Sequence, residues 1–228
     1  MRISLVIPAY NEEDRIKTVL SRYANHFHLQ DQEIIVVCEG TDSTRNIVKK
    51  LSKKCPNVKL LSFEKRLGKG GGIIEGFKAA KGERIGFADA DESVEPDDIK
   101  KMFDLLSRVD GVIASRKLKE SRILVKQPLK RRIASRIFNI LVRMFFGLNF
   151  KDTQCGAKVF RKEAIKNVLV ELNTKGFEFD VELLWRLKNK GYKVIEFPIT
   201  WKHSEGSNFS LSNAPKMFFS LLKVRLWK

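Results

Sequence analysis

The chain has 228 residues, 43% hydrophobic and 31% charged, enough for one well-cored α/β domain spanning 1–228. Its 44 Lys and Arg against 27 Asp and Glu give a formal charge of +17, which implies an anionic partner: phosphates, anionic lipid or nucleic acid. Three scattered cysteines exclude a disulfide framework and a CxxC metal site and suit a reducing compartment, and with no apolar run near the roughly 20 residues that cross a bilayer and no signal-peptide pattern, a cytoplasmic location is expected.

Residues 3–8 form a short apolar run ended by Pro8, and residues 33–38, 58–63 and 84–88 repeat the pattern. Such runs read as buried parallel strands. Between them, residues 12–25, 43–54 and 72–81 carry apolar residues at helical spacing, each near a turn or breaker. The resulting βαβαβαβ order specifies a mostly parallel sheet flanked by helices, with ligands at the carboxyl ends of the strands. Beyond it the sequence predicts a strand at 111–115, a basic amphipathic helix at 130–146, a turn at Cys155-Gly156, helices near 162–171 and 180–190, a strand at 193–198, and a second amphipathic helix within 214–228.

Polar residues follow each of the first four strands: Pro8 to Glu13, Glu39 to Thr44, Lys65 to Gly72, and Asp89-Ala90-Asp91. Two aspartates separated by one small residue put hard oxygen ligands where Mg²⁺ or Mn²⁺ and a diphosphate share them. A solvated turn with a helix cap before Pro96 is the other reading of that pattern. Glu39 and Asp42 stand where acids of nucleotide-binding folds accept hydrogen bonds from a ribose or base, although Asp42 or Ser43 also suits a helix cap. The glycine run 68–72 opens a helix, so free amides and Lys69 are expected to face an anion. Its register fits neither the dinucleotide nor the P-loop pattern.

Charge is concentrated in residues 115–151, which hold eleven Lys or Arg and one acid, Glu120. Within it, Ile133, Ile137, Ile140, Leu141, Met144 and Phe145 form an apolar stripe behind a basic start, the pattern of a helix lying in a headgroup layer. Arg131 or Arg132 and Ser135 fall on one face, suited to a lipid phosphate; packing against the sheet is the alternative. The 214–228 segment is open to the same pair of readings, or to a homo-oligomer contact. A nucleic-acid-binding protein is a different class suggested by charge alone, but no RNA- or DNA-binding signature is present, and no nucleic-acid partner is expected.

The successive motifs Pro8-Ala-Tyr-Asn-Glu-Glu13, Glu39 with Asp42, Arg66-Leu-Gly-Lys-Gly70 and Ala88-Asp-Ala-Asp91 resemble those of family 2 inverting glycosyltransferases with the GT-A fold. Asp152 to Gly156, Gly176 to Leu184 and Trp201 through Gly206-Ser207 make the chain similar to dolichyl-phosphate mannose and dolichyl-phosphate glucose synthases within that family. The resemblance implies that Pro8, Ala9, Tyr10 and Glu12 form the base pocket and that Glu39 and Asp42 contribute to the nucleoside. It implies that Asp89 and Asp91 hold metal and diphosphate, and that Arg116 approaches the donor and acceptor phosphates. The family's aspartate at the second strand end is Glu39 here and its late lysine is Asn208, so Lys202 is the substitute candidate for a phosphate contact. The expected reaction moves a hexose from GDP-mannose or UDP-glucose to a polyprenyl phosphate at the cytoplasmic membrane face, the 201–207 segment leaning to the glucose pattern. A soluble or protein acceptor is the alternative.

Overall fold

A computed structural model describes residues 2–125, 127–203 and 214–226. The predicted alternation is present as β1 (Ile3–Tyr10), α1 (Ile16–His26), β2 (Gln32–Glu39), α2 (Thr44–Lys54), β3 (Val58–Ser62), α3 (Gly68–Ala79) and β4 (Arg84–Ala88). After them come α4 (Pro96–Leu105), β5 (Gly111–Ser115), β6 (Arg122–Val125), α5 (Leu129–Phe146), β7 (Ala157–Arg161), α6 (Lys162–Leu169), α7 (Phe179–Asn189), β8 (Val194–Pro198), β9 (Thr200–Lys202) and α8 (Ala214–Leu226). Pro96 at the first position of α4, with Asp97 and Asp98 in its first turn, suits a helix start.

Seven strands form one sheet in the order β3-β2-β1-β4-β7-β5-β8. All neighbours are parallel except β7, which runs antiparallel to β4 and β5. The β1 and β2 side chains are mostly apolar and almost all buried on both sheet faces, as a helix-covered parallel sheet requires. One core cluster joins α1, α4 and one face of the sheet through Leu5, Ile7, Tyr23, Phe27 and Phe103; the other joins α3, α6 and α7 through Val6, Phe77, Phe87, Phe160, Phe179 and Leu183. Each fully buried side chain of this kind contributes about 1.5–3 kcal/mol. The approach of α3 to β1 depends on Gly76, where a Cβ would lie 2.3 Å from Val6 Cγ1.

Several expectations change. The sequence predicts only a turn near Cys155-Gly156, and β7 follows it directly, inserted between β4 and β5. Helix α3 begins at Gly68 rather than residue 72, so the glycine run is its first turn. A two-stranded parallel ribbon, β6 with β9, was also unforeseen. Among the described side chains of α5, Asn139, Val142 and Phe146 are buried, while Leu129, Ile133, Ile137, Ile140, Met144 and Phe145 are exposed. The apolar stripe thus faces outward. In α8 Met217, Leu221 and Val224 are buried and Phe219 is exposed, so that helix packs on the body of the protein through one face. No helix among the described residues is long and apolar enough to cross a membrane. The three cysteines are free, Cys38 and Cys155 buried.

Candidate active site

The carboxyl ends of β1, β2 and β4 open onto one cavity of about 570 Å³, where an α/β sheet is expected to take its ligand. Its walls are Pro8, Ala9, Tyr10, Glu12 and Arg15 after β1, Glu39 at the end of β2, and Arg66 to Lys69 at the start of α3. Asp89, Ala90 and Asp91 line the cavity after β4, and Lys175 to Glu178 with Met217 and Ser220 close the far side.

On the β1–β2 side the Arg66 guanidinium lies 4.1 Å from the centroid of the Tyr10 ring, a stacked cationic surface. Glu12 pairs with Arg15, whose pKa this hydrogen bond raises. Glu39 is buried, and its Oε2 accepts the N–H groups of Leu67 and Gly68, the latter at 3.1 Å. Gly70 and Gly71 donate theirs to the Lys175 carbonyl at 2.9 and 3.3 Å. The amides of Leu67, Gly68, Gly70 and Gly71 are therefore committed, contrary to the expectation of free donors, because Glu39 at the end of β2 and the loop before α7 already satisfy them. Asp42 does not line the cavity. It accepts the Thr44 N–H at 3.0 Å, the Thr44 hydroxyl at 2.9 Å and the Glu13 N–H at 3.0 Å, a turn-type contact that ties the loop after β1 to the start of α2.

The β4 side is a chain of alternating charges. Lys69 Nζ stands 2.9 Å from Asp89 Oδ1 and 3.5 Å from Asp180 Oδ2, and Lys158 Nζ stands 2.5 Å from Asp180 Oδ1. Burial raises the Asp89 pKa and the nearby charges of Asp91 and Asp180 add to it, while Lys69 opposes the rise. Burial works against the Lys69 charge, yet Asp180 and Asp89 hold its pKa above the ordinary lysine value. Asp91 Oδ1 accepts the Ser93 N–H at 2.9 Å, fixing the loop. The antiparallel β7 brings Gly156 beside this loop: its carbonyl accepts the Asp89 N–H at 2.9 Å.

A divalent cation fits this donor set. Asp89 and Asp91 are hard oxygen donors on one loop, both partly open to the cavity, and their mutual repulsion is what a cation relieves. No group of three or more His, Cys, Asp or Glu suited to a metal occurs among the described residues.

The acceptor-side residues are less assembled. Arg116 makes a bidentate pair with buried Asp152, Nε to Oδ2 at 2.6 Å and Nη2 to Oδ1 at 2.8 Å, and its guanidinium carbon lies 5.4 Å from the Trp201 ring centroid. Despite burial, Arg116 holds the Asp152 carboxyl well below the usual carboxylate range. Arg116 does not line the cavity. Arg132 is exposed and Ser135 half-buried on α5, and Lys202 Nζ is 4.0 Å from Glu92 Oε2; none of the three lines the cavity. The Arg131 side chain and Gly206, Ser207 and Asn208 lie outside the described residues. Glu182, within the Gly176 to Leu184 motif, accepts the Asn173 and Thr174 N–H groups and pairs with Arg186. Lys158 and Asp152 went unassigned because neither stands at a strand end or in a recognisable ligand spacing.

The Glycosyl transferase family 2 profile matches residues 4–169. The dolichyl-phosphate beta-glucosyltransferase of Saccharomyces cerevisiae is 30% identical over 98% of this chain and 74% of its own length; that of Homo sapiens is 28% identical over 90% and 69%. Among solved structures, glucosyl-3-phosphoglycerate synthase from Mycobacterium tuberculosis, crystallised with Mn²⁺, UDP and phosphoglyceric acid, superposes with a TM-score of 0.69 at 18% identity, covering 99% of this chain and 77% of that one. A sheet built on parallel βα units with an acidic loop after β4, matched along most of its length, makes this chain a GT-A glycosyltransferase that belongs to glycosyl transferase family 2.

Proposed function

We propose that this glycosyltransferase moves glucose from UDP-glucose to a polyprenyl phosphate of the dolichyl type, with inversion at the anomeric carbon, while seated peripherally on the cytoplasmic face of a membrane. One GT-A unit does both tasks in this reading, residues 1–115 holding the donor and 116–228 presenting the acceptor. The observation that carries it is the convergence of the β1, β2 and β4 ends on one cavity with Asp89 and Asp91 on its wall. Relatives named for beta-glucosyl transfer to dolichyl phosphate support glucose over mannose and a lipid phosphate over a soluble acceptor.

Tyr10, Arg66 and the loop held by Glu39 shape the end of the cavity suited to a nucleoside. Asp89 and Asp91 are the residues that would hold Mg²⁺ or Mn²⁺; when bound, the ion supplies positive charge to the leaving diphosphate. An acceptor phosphate oxygen attacks the anomeric carbon as the bond from that carbon to the diphosphate breaks, and the electron pair leaves with UDP. That oxygen is already anionic, so the attack needs no general base, in keeping with an Asp89 carboxylate engaged by Lys69. The outward apolar ridge of α5 is flanked by exposed Arg132, Arg136 and Arg143, with no acid anywhere in the helix. This pattern supports an anionic membrane surface as its partner.

Thermal unfolding with a panel of nucleoside diphosphates tests the donor assignment, because a ligand of the folded state raises its stability. UDP with Mn²⁺ is expected to raise the melting temperature more than GDP with Mn²⁺. A larger rise with GDP would sink the glucose assignment.

A further inference from the structure

Lys69 sits where the site's carboxylates crowd together. Its ammonium contacts Asp89 at 2.9 Å and Asp180 at 3.5 Å, and the side chain is only 12% exposed. Asp180 is pinned from behind by Lys158, which is wholly buried and also donates to the Cys155 carbonyl at 2.7 Å. Neither member of that rear pair can move without leaving a buried charge unmatched. Lys69 differs: a flexible four-carbon stem carries a point charge able to shift between neighbouring anions. Asp89, Asp91 and Asp180 against Lys69 and Lys158 leave the cluster a single negative charge.

We propose that Lys69 is a resident cation that competes with the divalent ion for Asp89, so that metal and donor diphosphate bind synergistically. This rests on the donor-site reading above and deepens it. A metal ion arriving alone displaces the ammonium from Asp89 and turns the cluster net positive inside a mostly buried wall, which is unfavourable where screening is poor. A metal ion arriving with a diphosphate brings the anion that the displaced ammonium then faces across the same cavity, and the positive excess disappears. The consequence is a site that stays closed to free metal and fills when the sugar nucleotide is present.

The test is Mn²⁺ binding followed by the loss of the free-ion electron paramagnetic resonance signal, with and without UDP, in the wild type, Lys69→Met and Lys69→Arg. Neither lipid nor glucose is required. The wild type is expected to bind Mn²⁺ at least about fivefold more tightly with UDP present, the lower end of usual coupling between sites. Lys69→Met is expected to bind Mn²⁺ alone about tenfold more tightly than the wild type and to lose most of the UDP coupling, whereas Lys69→Arg keeps it. Equal wild-type affinity with and without UDP overturns the proposal whether or not the methionine variant folds. So does a folded Lys69→Met that binds Mn²⁺ no better than the wild type. Absence of Mn²⁺ binding even with UDP overturns the donor-site reading itself, and the two failures are thereby told apart.

Discussion

Gly156 and Asp89 share a space that admits no further atom: a Cβ on Gly156 would lie 2.0 Å from Asp89 Oδ2, while the Gly156 carbonyl accepts the Asp89 N–H at 2.9 Å. The contact exists because β7 runs antiparallel beside β4, pairing Ala157 with Ala88. Gly156→Ala must push the carboxylate away from its present place, and overpacking of this kind costs about 1–3 kcal/mol. Mn²⁺-dependent UDP binding measured by calorimetry is expected to weaken by at least about tenfold, near 1.4 kcal/mol, with the circular dichroism spectrum unchanged. Unaltered affinity would mean that Asp89 is not part of the donor site.

Asp91 is partly exposed, and its Oδ1 accepts a local hydrogen bond from the Ser93 N–H. Asp91→Ala is therefore expected to fold like the wild type and to lose the metal-dependent part of the UDP thermal shift. At a UDP concentration of about 100 Kd in the presence of the ion, the whole shift corresponds to roughly 2.7 kcal/mol in the wild type. A full shift retained in the variant would remove Asp91 from the metal assignment.

Arg116 and Asp152 form a buried pair that responds to pH with a definite sign. The folded-state pKa of Asp152 is depressed by Arg116, so the pair's contribution is complete above the unfolded carboxyl value of about 3.9 and fades as pH falls below it. Arg116→Met leaves the Asp152 charge unmatched, and chemical denaturation at pH 7 is expected to show a loss of about 3–5 kcal/mol. The gap from the wild type should narrow as pH drops below about 4. A gap that does not change with pH would contradict this account of the pair.

How far this was legible in the sequence depended on where the chemistry stood. Asp89 and Asp91 were readable because they directly follow a buried apolar run, and topology alone sends such loops to one edge of the sheet. Strand β7 was not, because Lys158 interrupts its apolar pattern; only the fold shows that this lysine is wholly buried and neutralised by Asp180. Asp152 is 36 residues from Arg116, a separation that no local pattern spans. Lys69 was visible as a cation in a glycine run, but its carboxylate partners come from the loop after β4 and from α7. The α5 stripe was legible as amphipathic, while its outward orientation required the packing of Val142 and Phe146 to be seen.

That orientation predicts membrane behaviour. Ile137 and Met144 are 55% and 74% exposed, so Ile137→Glu with Met144→Glu removes apolar surface from the ridge with little effect on the fold. Wild-type protein is expected to float with phosphatidylserine-containing vesicles and the double variant to stay at the bottom of the gradient. Flotation of both to the same extent would place the membrane contact elsewhere.

The central claim is glucosyl transfer to a lipid phosphate, and transfer of label from UDP-[¹⁴C]glucose tests it most directly. The assay places the protein with vesicles containing dolichyl phosphate, with Mn²⁺ or with a chelator. The predicted result is label in the organic phase as a β-glucosyl phosphate, dependent on the divalent ion, absent with Asp91→Ala and not reproduced with labelled GDP-mannose. Label that remains in the aqueous phase on a water-soluble acceptor, with none on dolichyl phosphate, would contradict it.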